Sequence, residues 1–283
     1  MKINILNVIR TITAILEKIS PTLAKKLAIK LFFSPRPSKQ KLPDIPGLQQ
    51  HWCDFRKIDG SDSKCRVYSA GTGPTVLLVH GWESSAWSMS AIAKELLDQN
   101  LRVVLFDLPA HGFSPGKKTN ILEVSDIIHA LTRQEAELLA IVSHSFGSVC
   151  SGYAIKSGLA PKHFISIGAP TSMDFLIDSF CATLGASANI KKVLISSIED
   201  ILQAPYKTES LSHVAKQFTL DGLIIHDRND RLVPYSQATE LLANWAGSKL
   251  VTTENLGHNR MLMNAEVIQP IVEQIKAVKV KAA

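Results

Sequence analysis

The sequence predicts an α/β fold: a mostly parallel central sheet of about eight strands, flanked by helices and carrying one helical insertion. Three observations predict it. After residue 47, short β-branched or apolar runs alternate with longer stretches of helical apolar spacing, the pattern of βαβ units. Between Gly168 and Leu220 about fifty residues break that rhythm with helical spacing of their own, too long for a bare connection in a compact domain. Finally, 283 residues at 46% hydrophobic and 20% charged can bury one large core, which excludes disorder and collagen-like structure.

The chain opens on a segment unlike the rest. Ile5, Val8, Ile9, Ile12, Ile15, Leu16 and Ile19 recur at helical spacing. Ser20-Pro21 then reads as a cap with Pro at the first helical position, starting a second helix that runs to about Phe33. Ser34-Pro35-Arg36-Pro37 forms a stop and a stiff linker. Residues 1–41 hold nine Lys and Arg against one acid, Glu17, whereas the rest of the chain carries 22 basic and 24 acidic groups. A nucleic-acid-binding domain spreads basic charge over its folded body, so nucleic acid is not an expected partner. The segment reads either as a pair of basic helices packed on the body or as an amphipathic hairpin lying, through residues 1–33, on an anionic membrane surface or on a partner. Polar residues interrupt any signal-peptide core, and no run of about 18 apolar residues could span a bilayer. The expected location is the cytoplasm, with peripheral membrane contact as the variant.

Residues 48–278 form the expected main domain. Runs at Trp52–Phe55 and Lys64–Tyr68 have no helix between them, which predicts an antiparallel pair at one sheet edge. Thr75–Val79 is a strand, followed by a helix over Trp87–Asp98 and a strand at Val103–Phe106. A helix over Val124–Leu139 leads into a strand at Ala140–Val142, a helix over Ser148–Lys156 and a strand at His163–Ile167. Helical spacing at Phe175–Leu184 and Val193–Leu202 marks a lid at about residues 170–219. The strand Leu223–Ile225, helix Ser236–Trp245, strand Lys249–Thr252 and helix Ala265–Val278 complete the order.

Chemistry concentrates where strands end. Ser143-His144-Ser145-Phe146-Gly147 sets a serine between small residues, with a buried strand before it and a helix after it. Such a turn is sharp and strained, and it lifts the serine hydroxyl above the sheet edge at a helix N-terminus. Other strands run into His80-Gly81-Trp82, Asp107-Leu108-Pro109-Ala110-His111-Gly112-Phe113-Ser114, Asp230-Arg231-Leu232-Val233-Pro234 and Gly257-His258. That edge of a parallel sheet is where sites form. The cysteines, Cys53, Cys65, Cys150 and Cys181, have no metal-ligand spacing and give no disulfide framework; no dinucleotide or P-loop motif is present either. Neither metal nor cofactor is expected.

Taken together, in this order and strand context, these motifs resemble the α/β-hydrolase fold family over residues 48–278. The resemblance implies Ser145 as nucleophile, His258 as general base and then acid, and Asp230 as the group orienting the imidazole. It also implies an oxyanion hole from the N–H groups of Trp82 and Phe146. One departure is Ser143, where the family usually has glycine. Asp227 competes with Asp230, and the DxxVP spacing favours Asp230, leaving Asp227 to brace the loop. His80 and His111 are expected to hold turns, and His144 to pack against the sheet. His129, His163, His213 and His226 read as ordinary.

The expected activity is cleavage of a carboxylic ester, of short to medium acyl chain, through an acyl-enzyme. Thioesterase, lactonase and C–C bond hydrolase chemistry would use the same three residues, and a non-catalytic ligand-binding member of the fold is the contrasting class. Haloalkane dehalogenases and epoxide hydrolases of this fold attack with an aspartate, which a serine does not replace.

Overall fold

A computed structural model describes residues 5–36, 38–56, 61–133 and 135–282. Two helices, α1 (Ile5–Ile19) and α2 (Pro21–Phe33), precede strands β1 (Gln49–Arg56) and β2 (Asp62–Ala70). The classical alternation follows: β3 (Thr75–Val79), α3 (Ser90–Leu97), β4 (Arg102–Phe106), α4 (Ile121–Thr132), β5 (Leu138–His144), α5 (Phe146–Lys156) and β6 (His163–Ile167). Three helices, α6 (Met173–Leu184), α7 (Ala188–Leu202) and α8 (Leu211–Val214), fill the interval before β7 (Asp221–Asp227). Then come α9 (Tyr235–Asn244), β8 (Ser248–Thr253), α10 (Gly257–Arg260) and α11 (Ala265–Ala282).

The eight strands form one sheet in the order β1-β2-β4-β3-β5-β6-β7-β8. β1 pairs antiparallel with β2, and β2 antiparallel with β4, while the remaining neighbours are parallel. Alternation along each strand explains why two cores form, one on each face. In β3, Val76 and Leu78 join one cluster with α3 and α11, and Leu77 and Val79 join the other with α4 and α5. Both faces are covered by helices, so every β3 residue is buried and after Thr75 the strand is an unbroken apolar run.

The chain leaves β3 toward β4 on one side and returns on the other side as β5. Strand order therefore reverses between β3 and β5, and an open α/β sheet forms its crevice at such a point. Trp82 follows β3 and Ser145 follows β5.

One expectation needs correction. The helix expected over Val124–Leu139 ends at Thr132, and Leu138 already belongs to β5, paired beside Thr75. Apolar runs of both periods meet there, and pairing with β3 claims Leu138 for the sheet, with Leu139 bulged between it and Ala140.

The basic segment lies against the body. Ala24 and Ala28 of α2 are fully buried in the core beside α7, and the Phe32 ring meets Phe180 of α6 edge-on at 5.1 Å. Arg10 Nε donates to the Thr183 carbonyl at 2.6 Å, and the Ser187 hydroxyl donates to Glu17. Farther on, Arg36 grips the Glu83 carboxylate with its backbone N–H (3.1 Å to Oε1), its Nε (2.8 Å to Oε1, 3.0 Å to Oε2) and its Nη2 (2.5 Å to Oε2). Among the described residues no helix is long and apolar enough to cross a membrane.

Candidate active site

Ser145 sits between β5 and α5 at φ 53° and ψ −123°, a region that non-glycine residues enter at a cost of about 1–3 kcal/mol. Packing enforces it. The Ser145 N–H donates to the Ile167 carbonyl at 2.9 Å, tying the turn to β6. Gly147 faces the carbonyls of Val79 and His80, and a Cβ there would stand 2.6 Å from each. Backbone cannot yield at that separation. Gly147→Ala is expected to destabilise by about 3 kcal/mol, lowering Tm by about 5 °C; a thermal melt equal to wild type would contradict this close approach. Gly81 is confined less severely, since a Cβ there would lie 3.0 Å from the Ser145 Cβ.

Ser143, which stands where the resembling family usually has glycine, is accommodated by polar contacts rather than by empty space. Its hydroxyl lies 2.7 Å from that of Ser151, one turn into α5, and its carbonyl accepts from the Ser148 hydroxyl at 2.9 Å. The fully buried side chain is thus satisfied.

The fold brings Ser145, His258 and Asp230 together. His258 Nδ1 lies 2.7 Å from Asp230 Oδ2, and Nε2 lies 3.0 Å from Ser145 Oγ. A carboxylate only accepts, so Nδ1 carries the proton and Nε2 presents its lone pair to the serine hydroxyl. The other oxygen of Asp230, Oδ1, accepts from the N–H groups of Leu232 (2.8 Å) and Val233 (3.0 Å). Burial pushes the Asp230 carboxyl up, but the bond from His258 and these two amides outweigh it and hold it below the usual carboxylate range.

Asp227 is spent on bracing its own loop against the one that follows β8. Its carboxylate accepts from the Asn229 amide at 3.0 Å, the Thr253 hydroxyl at 3.0 Å and the Leu256 amide at 2.9 Å. It joins the β7 and β8 loops, the two that deliver Asp230 and His258.

Trp82 and Phe146 flank the serine from two elements, their rings edge-on at 5.1 Å, and both line the cavity. The loop bearing Trp82 is fixed by Asp107, which sequence reasoning had placed only inside a motif. Asp107 accepts from the Tyr68 hydroxyl (3.0 Å) and the amides of Ala86 (2.8 Å) and Phe113 (2.9 Å). Its carboxylate also fills the space a side chain at Gly112 would need. His80 accepts the Leu108 N–H at 3.0 Å through Nε2, holding the same turn. His111 lies beside Trp82, edge-on at 5.2 Å.

His144 has a larger part than packing. Its Nε2 donates to the carbonyl of His258 at 3.0 Å, and the two rings are 4.6 Å apart. His226 does likewise for the acid's loop, donating from Nε2 to the Val233 carbonyl at 2.9 Å. The His144–His258 contact, 114 positions apart, leaves no local sequence signal.

Burial keeps several of these rings neutral, pushing His144 down to about 3, His111 to about 4 and His80 well below its ordinary value. In the unfolded chain they take up protons from about pH 6.5 downward. Stability therefore falls as pH falls below that point, by up to roughly 1.4 kcal/mol per pH unit for each ring. Asp107, raised by burial, works in the opposite sense, its contribution returning as pH falls through its raised pKa toward the ordinary carboxylate value. Tm is expected to drop measurably between pH 6.5 and pH 5, and a flat profile there would exclude neutral buried rings.

A cavity of about 860 Å³ opens over Ser145 and His258. Its walls are mainly apolar and include Phe32 and Phe33 of α2, Phe180 of α6, Leu202 of α7 and Trp82. Among the described residues no group of three or more His, Cys, Asp or Glu is placed to hold a metal ion.

A profile described as the alpha/beta hydrolase family matches residues 76–269. Human protein phosphatase methylesterase 1 is 27% identical over 157 residues, covering 51% of this chain and 39% of that protein. Epoxide hydrolase 3 of Siraitia grosvenorii is 30% identical over 101 residues, 34% of this chain and 32% of that protein. The chain thus aligns with less than half the length of these curated relatives. Among solved structures, an esterase of Pyrococcus furiosus superposes with a TM-score of 0.65 at 17% identity, covering 87% of this chain and 98% of that one.

Proposed function

The chain belongs to the alpha/beta hydrolase family, and from that premise we propose that it is a serine hydrolase cleaving a carboxylic ester through an acyl-enzyme. The observation that carries this reading is the continuous contact from Asp230 through His258 to Ser145, at 2.7 and 3.0 Å. Ser145 Oγ attacks the ester carbonyl while His258 Nε2 takes its proton. The imidazolium that forms is stabilised by Asp230, held ionised by its own hydrogen bonds. The N–H groups of Trp82 and Phe146 receive the developing oxyanion, Phe146 from the first turn of α5. His258 returns the proton to the departing alcohol, then activates water against the acyl-enzyme by the reverse sequence.

An ester suits the site better than an epoxide. Opening an epoxide through a covalent intermediate needs a carboxylate nucleophile, whose alkyl ester water can cleave; a serine would leave an inert ether. The methylesterase named above likewise supports an ester of a small alcohol. In this reading α6 and α7 act as the lid, and their apolar side chains with Phe32 and Phe33 receive the acyl chain.

A panel of nitrophenyl esters of graded chain length, with fluorophosphonate labelling alongside, tests the proposal. Turnover that peaks at short to medium chains and is blocked by the probe is the expected result. Absence of both turnover and labelling would favour a ligand-binding protein on this fold.

A further inference from the structure

Helix α1 is two-sided in an unusual way. Toward the body, Thr13 is fully buried and Ile9 and Leu16 are half-buried, with α6 as a neighbour. The adjacent arc, about 100° round the helix axis, carries Val8, Ile12, Ile15 and Ile19, exposed by 43%, 44%, 51% and 74%. Steps of four, three and four residues put these side chains in one row along three helical turns. Leu23, at the start of α2, is 52% exposed. Single exposed aliphatic residues are ordinary, whereas a row of this length on one helix marks a surface that something covers.

Charge identifies the cover. Residues 1–41 hold nine Lys and Arg and one acid, and that acid, Glu17, already accepts from Ser187. Lys18, Lys26 and Lys30 are exposed, and among the described residues no carboxylate pairs with them. A second copy of this chain would set one strongly cationic hairpin against another. An anionic bilayer supplies both an apolar layer for the isoleucines and negative headgroups for the lysines.

We propose that the hairpin of α1 and α2 is an interfacial docking surface for an anionic lipid bilayer. The aliphatic row of α1 enters the boundary between headgroups and acyl chains, and the lysines engage the headgroups. Docking also has a route to the cavity, because α2 ends in Phe32 and Phe33, two of its walls. A hydrophobic acyl substrate dissolved in the membrane could thus pass to the site along the same helix. The docking surface stands on the hairpin alone and holds whatever chemistry Ser145 performs.

The test is co-sedimentation of the full chain with vesicles of equimolar phosphatidylglycerol and phosphatidylcholine, beside vesicles of phosphatidylcholine only. The wild type is expected to sediment with the anionic vesicles and to be released by high salt. Replacing Lys18, Lys26 and Lys30 by Gln should weaken binding on the order of a hundredfold, and the pair Ile12→Glu and Ile15→Glu should abolish it. Both variants touch exposed positions, so their thermal melts and turnover of a soluble ester should match the wild type. Failure of the wild type to bind, or equal binding by either folded variant, overturns the proposal. A wild-type dimer that Ile12→Glu and Ile15→Glu dissociate, with no vesicle binding, overturns it too and assigns the row to a second copy.

Discussion

Ser145→Ala is expected to lower kcat toward nitrophenyl esters by on the order of 10⁶ while leaving the fold intact. The size follows from what the hydroxyl does: without it the acyl-enzyme cannot form, and only the oxyanion donors and the cavity remain to assist water. Position 145 also has a backbone cost, since φ there is 53°. Alanine accepts that conformation no better than serine, so the variant keeps the strain and loses only the Oγ contact to His258. Its Tm should therefore lie within a few degrees of wild type, and fluorophosphonate labelling should vanish. Turnover by Ser145→Ala comparable with wild type would sink the proposed mechanism.

The second large effect separates two aspartates three residues apart. Asp230→Asn is expected to reduce kcat by about 10⁴. An amide can present its NH₂ to His258 Nδ1, which reverses the tautomer and turns the Nε2 lone pair into an N–H facing the serine. The imidazolium would also lose its counter-charge. Asp227→Asn should act differently, because its oxygens receive N–H and O–H donors from both loops rather than the imidazole of His258. Loss of those charge-assisted bonds should appear as about 1–3 kcal/mol of stability, with most of the turnover retained at low temperature. Measured kcat and Tm for the two variants decide the matter: similar kcat losses would remove the distinction drawn between them.

Much of this arrangement is legible along the chain because it is local. The strand before Ser145, the small residue at 147 and the helix that follows are set by period and turn chemistry within about ten positions. The antiparallel pair at the sheet edge is announced by two strands with no helix between them. The limit shows at Leu138, where neighbouring residues serve equally well for helix or strand and pairing with Thr75 decides.

By itself, then, the sequence determined the alternation of strands and helices, the order of its turns and a serine poised at one of them. Tertiary structure alone decided which polar groups meet there. His258 reaches Ser145 across 113 positions and Asp230 across 28, and Asp227 is withdrawn by bonds to a different loop. Packing alone also makes His144 hold the backbone of His258 and makes a basic N-terminal helix a wall of the cavity. The reason is physical. Periodicity and turn preference act between residues a few bonds apart and leave a pattern in the chain, whereas contacts between distant segments are selected by how the whole core closes.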